Sequence, residues 1–398
     1  MNGFVVGVNY WPSATGMRWW RRFDTVDLAA DFRRVRDAGA DCVRIFLLWE
    51  DFQPSPETVA DAQLARLRAV ADAARESGLA LIPTLFTGHM SGANFIPVWA
   101  LGAVASARFR TVAGDRVTDR ITRNWYTDRE ISDAQALLAR ECARVLAGHD
   151  ALWGWDLGNE NSNCCVPPTR EDGLRWLDAI ASAIRSVDDS CRITVGLHME
   201  DLEEDRRIGP AEAARVSDVL CMHGYPIYCS WSAGPVDAEL LAFLASVTRW
   251  LGGKDVLFAE FGAPTRDGDP DAEREVARML LAESEAAKYT ELAFAQVHAS
   301  GAIGGLVWCF ADYARAIWRE PPFDLAPHER HFGLWRADGS AKPAARVLAD
   351  WRGRARAAPP EVVWADIDPA RFYDAPRDHL VRLYARAREE SSLARPVL

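Results

Sequence analysis

Short apolar segments alternate with longer segments of helical period along most of the chain. Eight apolar segments rich in β-branched residues predict strands at residues 4–9, 42–47, 80–86, 152–157, 192–197, 218–223, 256–261 and 302–310. Between them, apolar positions recur every three to four residues, as in residues 27–38 and 61–77. Each of these two segments is followed by a glycine, Gly39 and Gly78, as is common after a helix. This alternation is typical of βα units that build a parallel sheet.

Eight such units predict a (β/α)8 TIM barrel, in which every strand ends at the same mouth. If this prediction holds, polar and aromatic residues should follow the strands rather than precede them. The sequence has this pattern, with residues of these types after the strands at Tyr10, Trp11, Trp49, Glu50, His89, Asn159, Glu160, His198, His223, Tyr225, Glu260 and Trp308. We therefore expect the chemistry of this protein at that mouth.

Two segments interrupt the alternation, residues 87–129 after the third strand and residues 311–330 after the eighth. Both contain aromatic residues, and long loops of compact domains are commonly functional, so we expect them to lie over the barrel mouth. An Arg-, Ala- and Pro-rich stretch at residues 352–360 then ends the barrel. We expect a catalytic barrel over residues 1–357 and a C-terminal appendage over residues 358–398, with one short strand and a helix at residues 377–388.

The composition of the chain argues against several classes of function and partner. The net charge of -11 and the lack of any Lys/Arg-rich run argue against a nucleic-acid partner, which requires clustered positive charge. No apolar segment approaches the ~18 residues of a membrane span. No signal-peptide pattern precedes the first predicted strand, so we expect a cytoplasmic protein. The eight cysteines have no Cys-x-x-Cys spacing, which predicts reduced thiols rather than a zinc or redox site.

Two glutamates follow apolar strands that lie opposite each other in the predicted barrel. Glu160 ends the segment WDLGNE after the fourth strand, and Glu260 ends VLFAE in the seventh. Retaining cleavage of a glycosidic bond needs two carboxyl groups about 5 to 5.5 Å apart, one to attack the anomeric carbon and one to protonate the leaving oxygen. The pair fits these roles, with Glu160 as acid/base and Glu260 as nucleophile.

These positions resemble clan A glycoside hydrolases, and within them family 5, which includes cellulases and mannanases. The resemblance spans roughly residues 7–350. In that family the fourth strand ends in Asn-Glu, matched by Asn159 and Glu160, and the Asn holds the sugar 2-hydroxyl. The seventh strand ends in the nucleophile, matched by Glu260. The family's other site positions are matched by Arg44, His89, His223, Tyr225 and Trp308. Many members have proline after the acid/base, whereas this chain has Asn161, which we interpret as a subfamily difference.

The resemblance implies a role for each of these side chains. Arg44 would keep Glu260 ionised, because a nearby opposite charge favours the charged form, and Tyr225 would bond to the same carboxylate. We expect burial and the charge of Glu260 to raise the pKa of Glu160. Trp308 and Trp11 would stack on sugar faces, while the polar side chains donate hydrogen bonds to the substrate, namely Asn159, His89 and His223. No nucleotide or metal motif is present, so we expect neither a cofactor nor a metal.

The substrate we expect is a short β-linked oligosaccharide, and an exo-β-mannosidase is the first choice. An endo-β-1,4-mannanase or a β-glucosidase is the alternative within the same class. A non-catalytic carbohydrate-binding barrel is an alternative from another class. A metal-dependent barrel hydrolase would commonly carry His-x-His on the first strand, which ends in Asn9 and Tyr10 instead. The sequence leaves the sugar epimer, the linkage and the oligomeric state open.

Overall fold

The computed structural model describes residues 3–266, 276 and 279–389. Eight parallel strands form one sheet and are numbered β1 to β8 in chain order: Val5–Tyr10, Cys42–Leu48, Ala80–Thr87, Trp155–Asn159, Ile193–Gly196, Leu220–His223, Val256–Phe261 and Gly304–Val307. Their order in the sheet is β5-β4-β3-β2-β1-β8-β7-β6. Each strand therefore lies beside the strands that precede and follow it in the chain, as a (β/α)8 barrel requires.

The gap between β5 and β6 is closed at the mouth of the barrel. His198, just after β5, forms a parallel bridge with His223 at the end of β6. The backbone N–H of His223 donates to the carbonyl of Leu197 at 2.9 Å, and that of Met199 donates to the carbonyl of His223 at 3.0 Å. The TIM-barrel prediction is confirmed, and closure places the two histidines side by side.

A helix follows each barrel strand, and these helices are numbered α1 to α8: Thr25–Asp37, Asp61–Glu76, Arg129–Leu146, Arg170–Arg185, Pro210–Ala213, Glu239–Gly252, Glu283–Ala299 and Pro343–Trp351. Side chains cap several N-termini; Asp24 accepts from the first backbone N–H groups of α1, and Thr169 forms a capping box in α4. The fifth unit is the exception. Its helix α5 is a single turn, preceded by another single turn, Glu200–Glu203.

Gly39 and Gly78 follow α1 and α2 with left-handed backbone, at φ values of +107° and +69°. A Cβ atom at Gly39 would lie 2.7 Å from the Cα of Ala349 in α8, whereas at Gly78 the nearest atom would be Arg36 Nε at 3.6 Å. We expect Gly78→Ala to lower the free energy of unfolding by about 1 kcal/mol, the cost of the left-handed backbone. Gly39→Ala should lower it by about 2–4 kcal/mol, because α8 must also shift. Equal losses in urea unfolding of the two variants would contradict this difference.

The insertion after β3, predicted as a long loop, folds into small sheets. Four short strands form one sheet, His89–Met90, Ala93–Phe95, Arg110–Ala113 and Arg116–Thr118, and Leu101–Val104 pairs with Arg120–Thr122. The insertion after β8 contains two 3-10 turns, Arg315–Ile317 and Pro327–His331. Residues of both insertions line the cavity at the barrel mouth, as expected.

The C-terminal segment packs on the side of the barrel. It contains a 3-10 turn, Pro369–Asp374, and helix α9, Pro376–Glu389. Residues 361–389 do not contain the short strand predicted for the appendage, and residues 390–398 lie outside the described residues. Buried Trp364 packs on Phe243 of α6, and the hydroxyl of Tyr373 donates to the carbonyl of Asp201 at 2.8 Å. The segment therefore supports the loop after β5, while the division of the chain into two domains stays a prediction.

All eight cysteines are free thiols, as the sequence predicted. Across the described ranges, the helices are too short or too polar to cross a lipid bilayer.

Candidate active site

The ends of the barrel strands surround a cavity of about 250 Å³. Seven of the nine predicted site residues line it: His89, Asn159, Glu160, His223, Tyr225, Glu260 and Trp308. Arg44 lies directly beneath this surface, where it bonds to Glu260. Trp11 lies elsewhere. The structure thus brings together eight of the nine side chains that the sequence analysis assigned to one site.

Glu160 stands immediately after β4 in a strained backbone conformation. Its φ and ψ values are 49° and 47°, the left-handed region that non-glycine residues rarely adopt. Its backbone N–H donates to the carbonyl of Gly196 at the end of β5, at 3.0 Å. Gly158, two residues before Glu160, has a φ value of +143°, and a Cβ atom at this position would collide with the side chain of Asn161. Backbone strain of this kind is concentrated at functional sites, which agrees with a chemical role for Glu160.

Glu260 lies in β7 with both carboxylate oxygens bonded to the protein. Arg44 donates from Nη1 to Oε1 at 2.5 Å, and the hydroxyl of Tyr225 donates to Oε2 at 2.8 Å. Burial and the charge of Glu260 raise the pKa of Tyr225 well above its ordinary value, so its hydroxyl keeps its proton and donates. Glu260 is therefore a fixed, charge-compensated carboxylate.

Arg44 is held by two residues that the sequence analysis gave no role. Asp156 accepts from its Nε and Nη2 at 3.0 and 2.7 Å, and Asn9 accepts from its Nη1 at 3.1 Å. Asn159 accepts from Nη2 at 2.9 Å. Burial alone would lower the pKa of Arg44, but the charges of Asp156 and Glu260 raise it above its ordinary value. A polar residue inside an otherwise apolar strand, as in the sequence WDLGN, was the available signal for Asp156.

The two candidate catalytic carboxylates lie close to each other across the mouth. One oxygen of Glu160, one of Glu260 and a ring nitrogen of His223 lie within 4.8 Å of one another. His223 Nδ1 is 3.1 Å from Glu160 Oε1 and 3.6 Å from Glu260 Oε1. Such a trio could hold a metal ion, but Arg44 and Tyr225 already bond to both oxygens of Glu260. The arrangement is better suited to moving a proton between neighbouring groups.

Three histidines surround the Glu160 carboxylate. Nδ1 of His223 lies 3.1 Å from it, Nε2 of His89 3.8 Å and Nδ1 of His198 3.9 Å, while Asn163 donates an amide N–H at 3.1 Å. Burial raises the pKa of Glu160, but the charge of His198, the hydrogen bond and charge of His223 and the charge of His89 together lower it below its ordinary value. The expected rise in this pKa is therefore wrong, because the three histidines outweigh the effect of burial.

His198 is connected to a polar chain behind the cavity. Ser162 donates its hydroxyl proton to Asp201 Oδ1 at 2.6 Å, and its Oγ lies 3.0 Å from His198 Nε2. The same Nε2 lies 3.3 Å from Nη1 of Arg206. Arg206 also donates to this Oγ, at 3.1 Å. The other ring nitrogen of His198, Nδ1, faces Glu160 at 3.9 Å.

We expect His198→Asn to shift the pH dependence of kcat/KM. The positive charge of His198 lowers the pKa of Glu160, so its removal should raise that pKa and move the alkaline limb to higher pH. Glu160 also faces His89, His223 and Glu260, which remain in the variant. Rates of aryl glycoside hydrolysis between pH 3 and 8 give the limb, with His298→Asn, a histidine remote from the cavity, as the control. An unmoved or lowered limb in His198→Asn would contradict the assignment.

Trp308 lines the cavity after β8, but Trp11 does not reach it. Trp11 is fully buried, with its ring stacked on Phe46 at a centroid distance of 5.4 Å. Phe46 in turn contacts Trp308 edge-on at 5.8 Å and lies beneath the guanidinium of Arg44 at 4.6 Å. The expectation that Trp11 stacks on a sugar is therefore wrong. Trp11 instead packs on Phe46, which contacts Trp308 in the cavity lining and Arg44 beneath it.

The cavity walls also contain side chains that the sequence analysis did not assign. Arg108 and Glu200 form a bidentate ion pair at the edge, with Nη2 and Oε1 2.6 Å apart. Tyr228, His328 and Glu329 form a second polar group on the wall. These residues lie in loops outside the recurring strand-end pattern, and sequence order gave no signal that their loops meet.

A family model described as cellulase (glycosyl hydrolase family 5) matches residues 4–311 of the chain. The search of curated proteins found no match to the chain. Among solved structures, the chain is similar to the exo-β-1,4-mannosidase Op5Man5 from Opitutaceae bacterium strain TAV5, with 27% identity and a TM-score of 0.70 over 88% of this chain. This chain spans about three fifths of that mannosidase, 59% of its length.

Two further solved structures are similar along nearly the whole chain. One is GH5_18 from Streptomyces cattleya in complex with GlcNAc, with 24% identity and a TM-score of 0.79, covering 98% of this chain and 92% of that one. The other is a GH5_18 variant from Bifidobacterium longum subsp. longum ATCC 55813 in complex with Manβ1-4GlcNAc. It has 20% identity and a TM-score of 0.77, covering 98% of this chain and 90% of that one. These two likenesses show the fold.

Proposed function

The chain belongs to glycosyl hydrolase family 5, and from this premise we propose that it is a retaining exo-β-mannosidase that acts on short β-mannosides. The observation that carries the proposal is the pair formed by Glu160 and Glu260, which have oxygens within 4.8 Å of each other. This spacing suits retaining enzymes, whose carboxyl groups are about 5–5.5 Å apart, and is too short for inverting ones, at about 6.5–9.5 Å.

In the first step the carboxylate of Glu260 attacks the anomeric carbon and forms a glycosyl ester, while Glu160 gives its proton to the departing glycosidic oxygen. Arg44 and Tyr225 hold Glu260 in position for this attack. The leaving alcohol takes the proton, and the bond from the anomeric carbon to the leaving oxygen breaks. The histidines around Glu160 supply groups within 4 Å that can exchange a proton with it.

In the second step Glu160 acts as a base. It takes a proton from water, the water oxygen attacks the anomeric carbon from the face that the leaving group had occupied, and the ester bond to Glu260 breaks. The sugar therefore leaves with its original β configuration. Asn159 lines the cavity and bonds to Arg44 and to the carbonyl of His89, and in this mechanism it holds a sugar hydroxyl.

Exo action is supported by the way the two insertions meet. Arg110 of the insertion after β3 forms a bidentate ion pair with Asp324 of the insertion after β8, with Nη1 2.8 Å from Oδ2. The hydrogen bond from Arg110 lowers the pKa of Asp324, which keeps the pair charged at neutral pH. This ion pair therefore joins the two insertions across the side of the mouth formed by β1 and β2. A polymer needs an open groove, whereas a cavity of about 250 Å³ that is bounded on one side by the joined insertions suits a chain end.

The choice of mannoside rests on the similarity to the exo-β-1,4-mannosidase Op5Man5. Its test is hydrolysis of nitrophenyl β-mannoside, β-glucoside and β-galactoside, of mannobiose and of polymeric mannan, with the first anomer formed followed by NMR. We expect turnover of the aryl mannoside and mannobiose with β-mannose released first. Preference for the polymer would favour an endo-β-1,4-mannanase, and preference for the glucoside a β-glucosidase. Release of the α anomer would contradict retention, and binding without turnover would favour a carbohydrate-binding barrel.

A further inference from the structure

Tyr228, His328 and Glu329 form a hydrogen-bonded group on the cavity wall. The hydroxyl of Tyr228 donates to Glu329 Oε1 at 2.7 Å, and Nε2 of His328 lies 2.8 Å from the same hydroxyl oxygen. Desolvation of its hydroxyl at the cavity wall and the charge of Glu329 raise the pKa of Tyr228 well above its ordinary value, so this hydroxyl keeps its proton and donates it. The three residues come from the loops after β6 and β8, and all three line the cavity.

The Glu329 carboxylate is buried without a strong cation. Its residue is 7% exposed, and within the described part of the chain His328, at 3.5 Å, is the one base within ion-pair distance. The hydrogen bond from Tyr228 and the contact with His328 both involve Oε1 of Glu329, and neither involves Oε2. A buried carboxylate needs hydrogen-bond donors to offset its lost hydration. A ligand in the cavity can supply the Glu329 carboxylate with hydrogen-bond donors that the protein does not supply.

The loop that carries Glu329 is fixed before any ligand binds. Glu329 lies in the 3-10 turn Pro327–His331. The next residue, Arg330, donates from Nε and Nη2 to the carbonyl of Phe323 at 3.0 and 2.6 Å. Its guanidinium also lies 4.8 Å from the centre of the Trp318 ring. A rigid carboxylate binds a ligand without first losing its own conformational freedom, which favours selective recognition.

Glu329 is linked to the nucleophile through Tyr228 and Tyr225. The ring of Tyr228 is 5.7 Å from that of Tyr225, whose hydroxyl bonds to Glu260. The leaving group must lie beside Glu160, because Glu160 protonates the leaving oxygen. Glu329 is therefore better placed to meet the sugar that is transferred to Glu260 than the group that leaves.

We propose that Glu329, held by Tyr228 and His328, accepts hydrogen bonds from hydroxyl groups of the terminal sugar and so determines which sugar and which chain end the cavity accepts. The proposal rests on the proposed glycosidase function. Sugar hydroxyls are neutral donors, and a charged acceptor binds them more strongly than a neutral one. A terminal sugar offers free hydroxyls to this carboxylate, whereas a substituted hydroxyl, as inside a polymer, cannot donate.

The test combines Glu329→Gln with substrates that lack one hydroxyl. On an aryl β-glycoside that the wild type hydrolyses, we expect Glu329→Gln to lower kcat/KM about 10- to 100-fold, the range for a hydrogen bond to a charged group. For the wild type, kcat/KM should be lower by a similar factor on the monodeoxy analogue that lacks the hydroxyl bonded to Glu329. On that analogue, Glu329→Gln should lower kcat/KM only slightly further. Tyr228→Phe should give a smaller loss than Glu329→Gln. Glu320→Gln, in the same insertion but outside the cavity lining, should match the wild type.

Several outcomes would overturn the proposal. Equal losses for Glu329→Gln on every deoxy analogue would indicate a structural role, as would altered limbs of the pH profile, because Glu329 transfers no proton. A loss seen with a disaccharide but not with an aryl glycoside would place Glu329 against the leaving sugar instead. If the wild type hydrolyses no glycoside, the proposed function fails by itself. Calorimetry with free monosaccharides then tests Glu329, and equal affinities of wild type and Glu329→Gln would overturn its role.

Discussion

Replacement of Glu260 by alanine is expected to reduce kcat on an aryl β-mannoside by on the order of 10⁴-fold or more, since it removes the group that forms the covalent intermediate. The carboxylate has fixed bonds to Arg44 and Tyr225, which hold it in position for the attack. KM should change far less than kcat, because the sugar hydroxyls still meet their partners. Initial rates of nitrophenol release measure both constants.

Azide separates loss of the nucleophile from loss of the fold. In Glu260→Ala the small anion can occupy the space of the missing carboxylate and attack the anomeric carbon directly. A single displacement yields the α-glycosyl azide, which NMR identifies. Glu57→Ala, an exposed glutamate outside the cavity, should retain wild-type rates and form no azide product. Undiminished turnover by Glu260→Ala would remove Glu260 from its proposed role.

The barrel and most of the site could be predicted because both follow from patterns that are local in sequence. Alternating strands and helices specify a closed parallel barrel, and such a barrel places every strand end at one mouth. Glu160, Glu260, Arg44 and His223 each follow or lie in such a strand, so their meeting required only the fold. Their order along the chain was enough because the barrel converts sequence order into angular position.

The features that the sequence did not predict depend on three-dimensional packing. Trp11 follows β1 just as Trp308 follows β8, yet its ring turns into the core against Phe46. The pKa of Glu160 is lowered because β5 and β6 close side by side and bring His198 and His223 to it together. Neither the rotamer of a tryptophan nor the sum of three nearby charges has a pattern along the chain.

The residues that support the site form a second group that local patterns miss. Asp156 and Asn9 hold Arg44 from beneath the cavity, and each is a polar residue within a strand of otherwise apolar character. Such residues are recognisable in retrospect, because a buried polar group requires a partner. Glu329 is different, since it reaches the cavity from a long insertion whose path no periodicity describes.

Replacement of Glu160 by alanine should give a contrasting kinetic pattern, because an acid/base residue acts in both steps. On a substrate whose leaving group needs no proton, such as a dinitrophenyl β-mannoside, formation of the intermediate should proceed within about 10-fold of the wild-type rate. On a substrate with a poor leaving group, such as mannobiose, kcat/KM should fall by roughly 10²–10⁴-fold, the usual contribution of general acid catalysis. The second step also loses its base, so the intermediate should accumulate and produce a burst of dinitrophenol.

Azide should then restore turnover of Glu160→Ala and yield the β-glycosyl azide. The intermediate on Glu260 has the α configuration, and an anion that needs no base attacks it from the opposite face. The two alanine variants therefore make azides of opposite configuration, which identifies each role without reference to rate. If Glu160→Ala formed the α-azide and Glu260→Ala the β-azide, the roles would be exchanged. Loss of activity that is the same for good and poor leaving groups would indicate that Glu160 does not protonate the leaving oxygen.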